Sequence, residues 1–203
     1  MRNEFEINSD FSDYTRLFLE ENSKHNLISK NEEKLLFEKH IYDSLSIKLF
    51  FDKYGIREGK ILDIGCGGGF PCVPVAIEFP NLSVTGIDSI GKKISCIENI
   101  KNGLGLKNLE LICGRAENQN LKGFDIVVSR AVADLSTIIK YAKPALKKDG
   151  VLIAYKSKKA EEEIREAKEV LTQYKSEVFD IIEYNLPLEE LYIRNLICIR
   201  FNK

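Results

Sequence analysis

From position 60 onward the chain alternates short apolar runs with helix-length segments, and this alternation restricts the fold more than any other feature. The runs fall at 61–64, 84–87, 109–112, 125–128 and 151–155, separated by segments around 72–78, 91–104, 134–146 and 159–173. Runs that are apolar throughout, rather than at every second residue, belong to strands covered on both faces, and their spacing by helices predicts βαβ units and a parallel sheet. After the last, charged segment come two runs, 177–184 and 191–201, joined by a loop with Pro187 and no helix. A hairpin is expected there, placing an antiparallel strand at the end of the sheet. The expectation is an α/β, Rossmann-like fold: a mostly parallel seven-stranded sheet with one antiparallel strand and helices on both faces.

Residues 1–55 differ. Ser9 or Asp10 can cap a helix that carries Phe11, Tyr14 and Phe18 on one face. Asn31 can cap a second, running through Leu35, Leu36, Ile41, Leu45 and Leu49 to a stop near Gly55. The expected organisation is an N-terminal helical extension on the substrate side, 1–55, joined in a single compact unit to a nucleoside-binding domain, 56–203.

Bulk properties exclude several classes. No stretch of about 18 apolar residues is present, so no membrane partner is expected. The stretch MRNEFEINSDFSDY has acids where a signal peptide needs an apolar run. Five cysteines without a CxxC pair or His-spaced ligands predict free thiols in a reducing cytoplasm and no metal site. With a net charge of −1 there is no global basic field, so any nucleic acid must be met by local positive charge.

The strongest chemical signal is Ile61-Leu-Asp63-Ile-Gly65-Cys-Gly67-Gly-Gly69-Phe70-Pro71, where a first strand would end and a helix begin. Open α/β sheets bind ligands at that crevice. The dinucleotide fingerprint wants its third glycine at position 70, which is Phe70, and there is no Gly-Lys-Ser/Thr ending of a P-loop. Asp63 would repel a pyrophosphate but suits amino and sulfonium cations. Asp88, ending the second run 23 residues beyond Gly65, is placed for ribose hydroxyls or for a helix N-cap. Together these describe a nucleoside with a cationic tail and no phosphates, which S-adenosylmethionine fits. Gly114-Arg-Ala116-Glu117 follows the third strand on the adenine side, and Arg130 ends the fourth, where a substrate would meet the methyl group.

Gly65–Pro71 with Asp88-Ser89, Lys92-Lys93, Gly114–Glu117 and Ser129-Arg-Ala-Val132 resembles the bacterial small-subunit rRNA methyltransferase G family, also called glucose-inhibited division protein B. Asn26-Leu-Ile-Ser29 and Lys39-His40-Ile-Tyr-Asp43-Ser44 resemble that family's Asn-Leu-Thr and Arg-His-Ile-Leu-Asp-Ser elements. The resemblance implies a class I S-adenosylmethionine-dependent methyltransferase fold and N7 methylation of a guanine in 16S rRNA of the small subunit. By motif position it makes Gly65, Phe70, Ala116, Glu117 and Arg130 cofactor contacts, with Asp88 on the ribose; Asp63, Gly67 and Gly69 complete the expected cofactor set. Cys66, Cys72, Lys93 and Ser157 depart from the family pattern.

Guanine N7 keeps a free lone pair, so no catalytic base is needed, and none is evident; Arg130 is expected to position the reactants. His40 and Asp43 lie on one helix face at the expected substrate entrance. Lysines 92, 93, 147, 148, 156, 158 and 159 offer local positive charge, with Lys93 and Lys156 the preferred RNA contacts. The chain is expected to act as a monomer on the small ribosomal subunit, without DNA. A methyltransferase on a small molecule or protein, and a non-catalytic cofactor-sensing factor in ribosome assembly, are the alternatives.

Overall fold

The computed structural model describes residues 5–202; the first four residues of the acidic N-terminal stretch, on which the expectation against export partly rests, lie outside these. Seven strands form one sheet: β1 (Gly59–Ile64), β2 (Leu82–Asp88), β3 (Leu109–Cys113), β4 (Phe124–Arg130), β5 (Leu146–Ser157), β6 (Ser176–Asn185) and β7 (Ile193–Phe201). Their order is β3-β2-β1-β4-β5-β7-β6. β1 pairs in parallel with both β2 and β4, so the chain reverses its direction of travel across the sheet there and opens a crevice at the carboxyl ends.

The expected hairpin forms, with β7 lying between β5 and β6 and antiparallel to both. Its composition explains the order. Leu196, Ile197, Cys198 and Ile199 are all buried, as an interior strand requires, whereas β6 is only partly buried and takes the edge.

The helices are α1 (Ser12–His25), α2 (Lys30–Glu33), α3 (Asp43–Leu45), α4 (Ile47–Tyr54), α5 (Cys72–Glu78), α6 (Gly91–Leu104), α7 (Leu135–Ala145), α8 (Ala160–Glu166) and α9 (Lys168–Gln173). The N-terminal helices pack with α5 and α6 on one face of the sheet, and α7, α8 and α9 cover the other. Asp10 accepts the Ser12 N–H at 2.9 Å at the start of α1, and Asn26 ends it in the left-handed region.

The second helix departs from expectation. Ser29, not Asn31, starts it: Glu32 reaches back to the Ser29 N–H at 3.3 Å and its hydroxyl at 3.0 Å. The helix is then interrupted by a π-helical turn, Phe37–Tyr42, before α3 and α4. Ser44 and Ser46 donate to the carbonyls of His40 and Asp43, at 2.6 and 2.8 Å, and so compete with the helical ladder. This wider turn carries His40 and delivers Asp43 to the end of the sheet. Among the described residues no helix is long and apolar enough to cross a membrane.

Cys72 fills the space above Gly86 in the middle of β2. A Cβ at Gly86 would lie 3.0 Å from the Cys72 sulfur and 3.1 Å from Leu111 Cδ2. Gly86→Ala should therefore destabilise the fold by about 1–3 kcal/mol in urea unfolding, with Cys72→Ala recovering part of the loss in the double variant.

Candidate active site

The loop between β1 and α5 is built by backbone bonds. The N–H groups of Gly65 and Cys66 both donate to the Ile87 carbonyl, at 2.8 and 3.0 Å, and those of Gly69 and Phe70 to the Cys66 carbonyl. Gly65 and Gly67 take positive φ, 74° and 55°, which the turn demands. Two adjoining cavities open over the loop and share Gly65, Asp88 and Val132. The smaller, about 210 Å³, is bounded by Ile87, Ser89, Tyr141 and the turn Gly114–Glu117. The larger, about 360 Å³, lies between Gly67, Phe70, Arg130, Lys93, His40 and Glu32. Of the residues singled out in the sequence, Gly65, Gly67, Phe70, Asp88, Ala116, Glu117, Arg130, His40 and Lys93 thus meet along one crevice.

Asp88 ties the crevice together. One carboxylate oxygen accepts the Gly67 N–H at 2.9 Å and the other the Ile90 N–H at 2.8 Å, so Asp88 pins the loop and forms the turn before α6, whose N-cap is Ile90 and not the Asp88 that the sequence allowed. A carboxylate oxygen has two lone-pair positions, and each here retains capacity for a further donor.

Asp63, Gly69 and Asp43 stand elsewhere. Asp63 does not line either cavity; it is fully buried behind the loop, where it accepts the Cys72 N–H at 3.1 Å. This is the first N–H of α5, the kind of donor a pyrophosphate takes at a helix N-terminus, so the carboxylate occupies the phosphate's place from within. Its other oxygen is buried without a hydrogen-bond partner. Burial pushes its pKa up to about 7, against the Cys72 bonds that lower it. Gly69 faces Val73 and Ile97, where a Cβ would approach to 2.9 and 3.5 Å, so it serves helix packing.

Asp43 lies beneath the crevice, 2% exposed, as the anchor of an ionic cluster. It receives Arg130 at 2.9 Å, Arg194 at 3.1 and 3.2 Å, and the Tyr184 hydroxyl at 2.6 Å. Arg130 is held further by the Lys39 carbonyl at 3.1 Å and His40 Nδ1 at 3.0 Å, with its guanidinium 5.1 Å from the Phe70 ring centre. The Phe70 ring rests in turn on Tyr14 and Phe18, so α1 supports this wall.

Lys156 requires a correction. Expected as an exposed RNA contact, it is buried, donates to the Ala133 carbonyl at 2.9 Å and pairs with Glu163 at 2.5 Å. It props the loop after β4 instead of facing solvent. Lys147 pairs with Asp125 at the opposite end of the sheet, away from the crevice. Val132, present in the sequence only as the end of a motif, lies with its side chain over Gly65, and Glu32, Tyr184 and Arg194 join the crevice and its support without a signal in the sequence.

A seven-stranded sheet of this order with a glycine loop and an acidic β2 end defines a class I methyltransferase fold. The M. jannaschii TYW2 structure in complex with AdoMet shares it, with a TM-score of 0.60 and 16% identity over 79% of this chain and 77% of that one. A family model described as rRNA small subunit methyltransferase G matches residues 7–191. The chain is 40% identical over 197 residues to the Ribosomal RNA small subunit methyltransferase G of Thermoanaerobacter sp. (strain X514), covering 94% of this chain and 80% of that protein. With the protein of the same name from Bacillus subtilis (strain 168) it shares 37% over 195 residues, again 94% and 80% of the two chains. The chain belongs to the rRNA small subunit methyltransferase G family.

Because the folded pKa of Asp63 stands above its ordinary 3.8, stability from this group is full below pH 3.8 and is lost as pH rises to about 7. Asp63→Asn should flatten the pH dependence of the melting temperature across that window and raise the melting temperature at pH 8. An unchanged slope would mean that Asp63 is ionised in the fold at low pH.

Proposed function

We propose that this protein transfers a methyl group from S-adenosylmethionine to N7 of a guanine in 16S ribosomal RNA, acting as a cytoplasmic monomer on the small ribosomal subunit. The observation that carries the cofactor assignment is the pair of carboxylates: Asp88 offers acceptor capacity in the crevice, while Asp63 fills the helix terminus a pyrophosphate would use. Family membership supports the RNA substrate.

When bound, S-adenosylmethionine supplies an electrophilic methyl group on a sulfonium. The chain's own residues bind and orient. Asp88 accepts from the ribose hydroxyls, the Gly114–Glu117 turn borders the adenine, and Gly67 lets the backbone approach the amino-acid tail, while the missing Cβ of Gly65 makes room for Val132. A Cβ at Gly67 would meet only the Gly65 carbonyl, at 3.8 Å, so glycine there keeps this stretch of the crevice open.

The target side needs position rather than a base, since guanine N7 is already unprotonated. Burial and then the Arg130 charge push the pKa of His40 down to about 4, so the ring is neutral at physiological pH. Its Nδ1 accepts from Arg130, which leaves the proton on Nε2. Nε2 is buried without a hydrogen-bond partner, 3.8 Å from Glu32 Oε1. A guanine with N7 toward the methyl group presents O6 beside it, and Nε2–H is a donor for that oxygen. Glu32 then faces the neighbouring N1–H, and Lys93 at the crevice mouth meets phosphate. In this reading the helices of 1–55 serve the substrate and the region from 56 onward the cofactor.

Incubation with labelled S-adenosylmethionine and small subunits lacking the modification should place label in 16S RNA at a guanine that becomes sensitive to N7-directed strand scission. Absence of label with cofactor binding intact would overturn the assignment. Asp88→Ala should weaken cofactor binding by about 1–3 kcal/mol in calorimetry, through lost charge-assisted bonds. Unchanged affinity would confine Asp88 to pinning the loop.

A further inference from the structure

α1 and α6 pack in opposite directions, and their contact brings Cys96 of α6 against two α1 residues far from it in the sequence. Leu17 sits against Gly103, where a Cβ would come within 2.9 Å of Leu17 Cδ1. One turn along α1, Glu21 accepts from Asn99 at 3.3 Å. Around that bond stand Glu21, His25 and Cys96, with one carboxylate oxygen, one ring nitrogen and the sulfur all within 4.8 Å of one another. Glu21 is 8% and Cys96 2% exposed. His25 Nδ1 is itself buried and has no hydrogen-bond partner, an unsatisfied polar atom between two helices.

We propose that Glu21, His25 and Cys96 form a zinc site that fastens α1 to α6. Thiolate, imidazole and carboxylate are the three ligand types of protein-bound zinc, and His25 with Glu21 is an i,i+4 pair on one helix face. Zinc bonds of about 2.0–2.3 Å place tetrahedral ligands about 3.3–3.7 Å apart, so side-chain rotation must draw the group together by about 1 Å. On binding, the Cys96 thiol gives its proton to solvent as the sulfur–zinc bond forms. Glu21 leaves its 3.1 Å ion pair with Lys24, whose side chain is exposed and returns to water. The two anionic ligands offset the dication's charge, the imidazole binds as a neutral ligand, and water takes the fourth position. The site lies one turn from Lys93 on the same helix, so metal binding would stiffen the α6 wall of the crevice.

Reduced, chelator-treated protein titrated with Co2+ tests this. The expected result is one ion per chain with a near-ultraviolet thiolate-to-cobalt band, displaced by one equivalent of Zn2+. Cys96→Ser should abolish the band, and His25→Ala should weaken zinc binding more than about tenfold. Cys113→Ser, at the exposed thiol, should change neither. Zinc should raise the melting temperature of the unsubstituted protein but not of Cys96→Ser. Absence of the band, or the same affinity in Cys96→Ser and His25→Ala as in the unsubstituted chain, would reduce the three residues to a hydrogen-bonded cluster and overturn the proposal.

Discussion

The crevice wall built by the N-terminal helices and the end of β4 depends on one buried carboxylate. Burial alone would raise the pKa of Asp43, but the Arg194 and Arg130 charges outweigh it and hold the group below its ordinary value. It is therefore an anion in the interior, and its three partners come from separate parts of the chain: Arg130 from the end of β4, Tyr184 from β6 and Arg194 from β7. Removing one partner of a buried ion pair costs about 3–5 kcal/mol because the other charge is left in a medium that cannot solvate it. The cluster thus fixes the N-terminal helices, the central sheet and the C-terminal hairpin against one another. Its outermost member, Arg130, forms a wall of the crevice together with Phe70 and His40.

The glycine loop follows a different electrostatic logic. Two carboxylates 25 residues apart in sequence flank one loop, and the environment divides their roles. Asp63, enclosed and pushed toward neutrality, closes the α5 terminus from behind. Asp88, half-buried at the crevice, holds the loop with one N–H and turns the chain with another, and it keeps acceptor capacity for a ligand. A site arranged this way disfavours phosphate and accommodates hydroxyls and positive charge.

The sheet was legible because its strands are apolar throughout: five runs located the parallel core, and two further runs with no helix between them located the hairpin. The glycine loop and Asp88 were legible for a related reason, since a strand end followed by glycines places a crevice. The face that a side chain presents was not. Asp63 is the penultimate residue of β1 and Asp88 the last of β2, and only the fold shows that one faces inward and the other the crevice. Lys156 follows an apolar run and reads as exposed, yet β5 continues through it, paired opposite Asn195, and Glu163 covers its ammonium. Tyr184 and Arg194 lie 141 and 151 residues from Asp43, beyond any local pattern. The π-helical turn that presents His40 also leaves no periodic signal in the sequence. Glu21, His25 and Cys96 likewise gave no ligand spacing, since two are on α1 and the third on α6.

The most direct measurement is a high-resolution crystal structure of the protein grown with S-adenosylhomocysteine. The expected structure has the nucleoside in the crevice beside the glycine loop, its ribose hydroxyls on Asp88, Asp63 still bonded to the Cys72 N–H, and Arg130 still paired with Asp43. A nucleoside bound elsewhere, or an Arg130 that leaves Asp43 to reach it, would overturn the roles assigned to Asp88 and to the buried cluster.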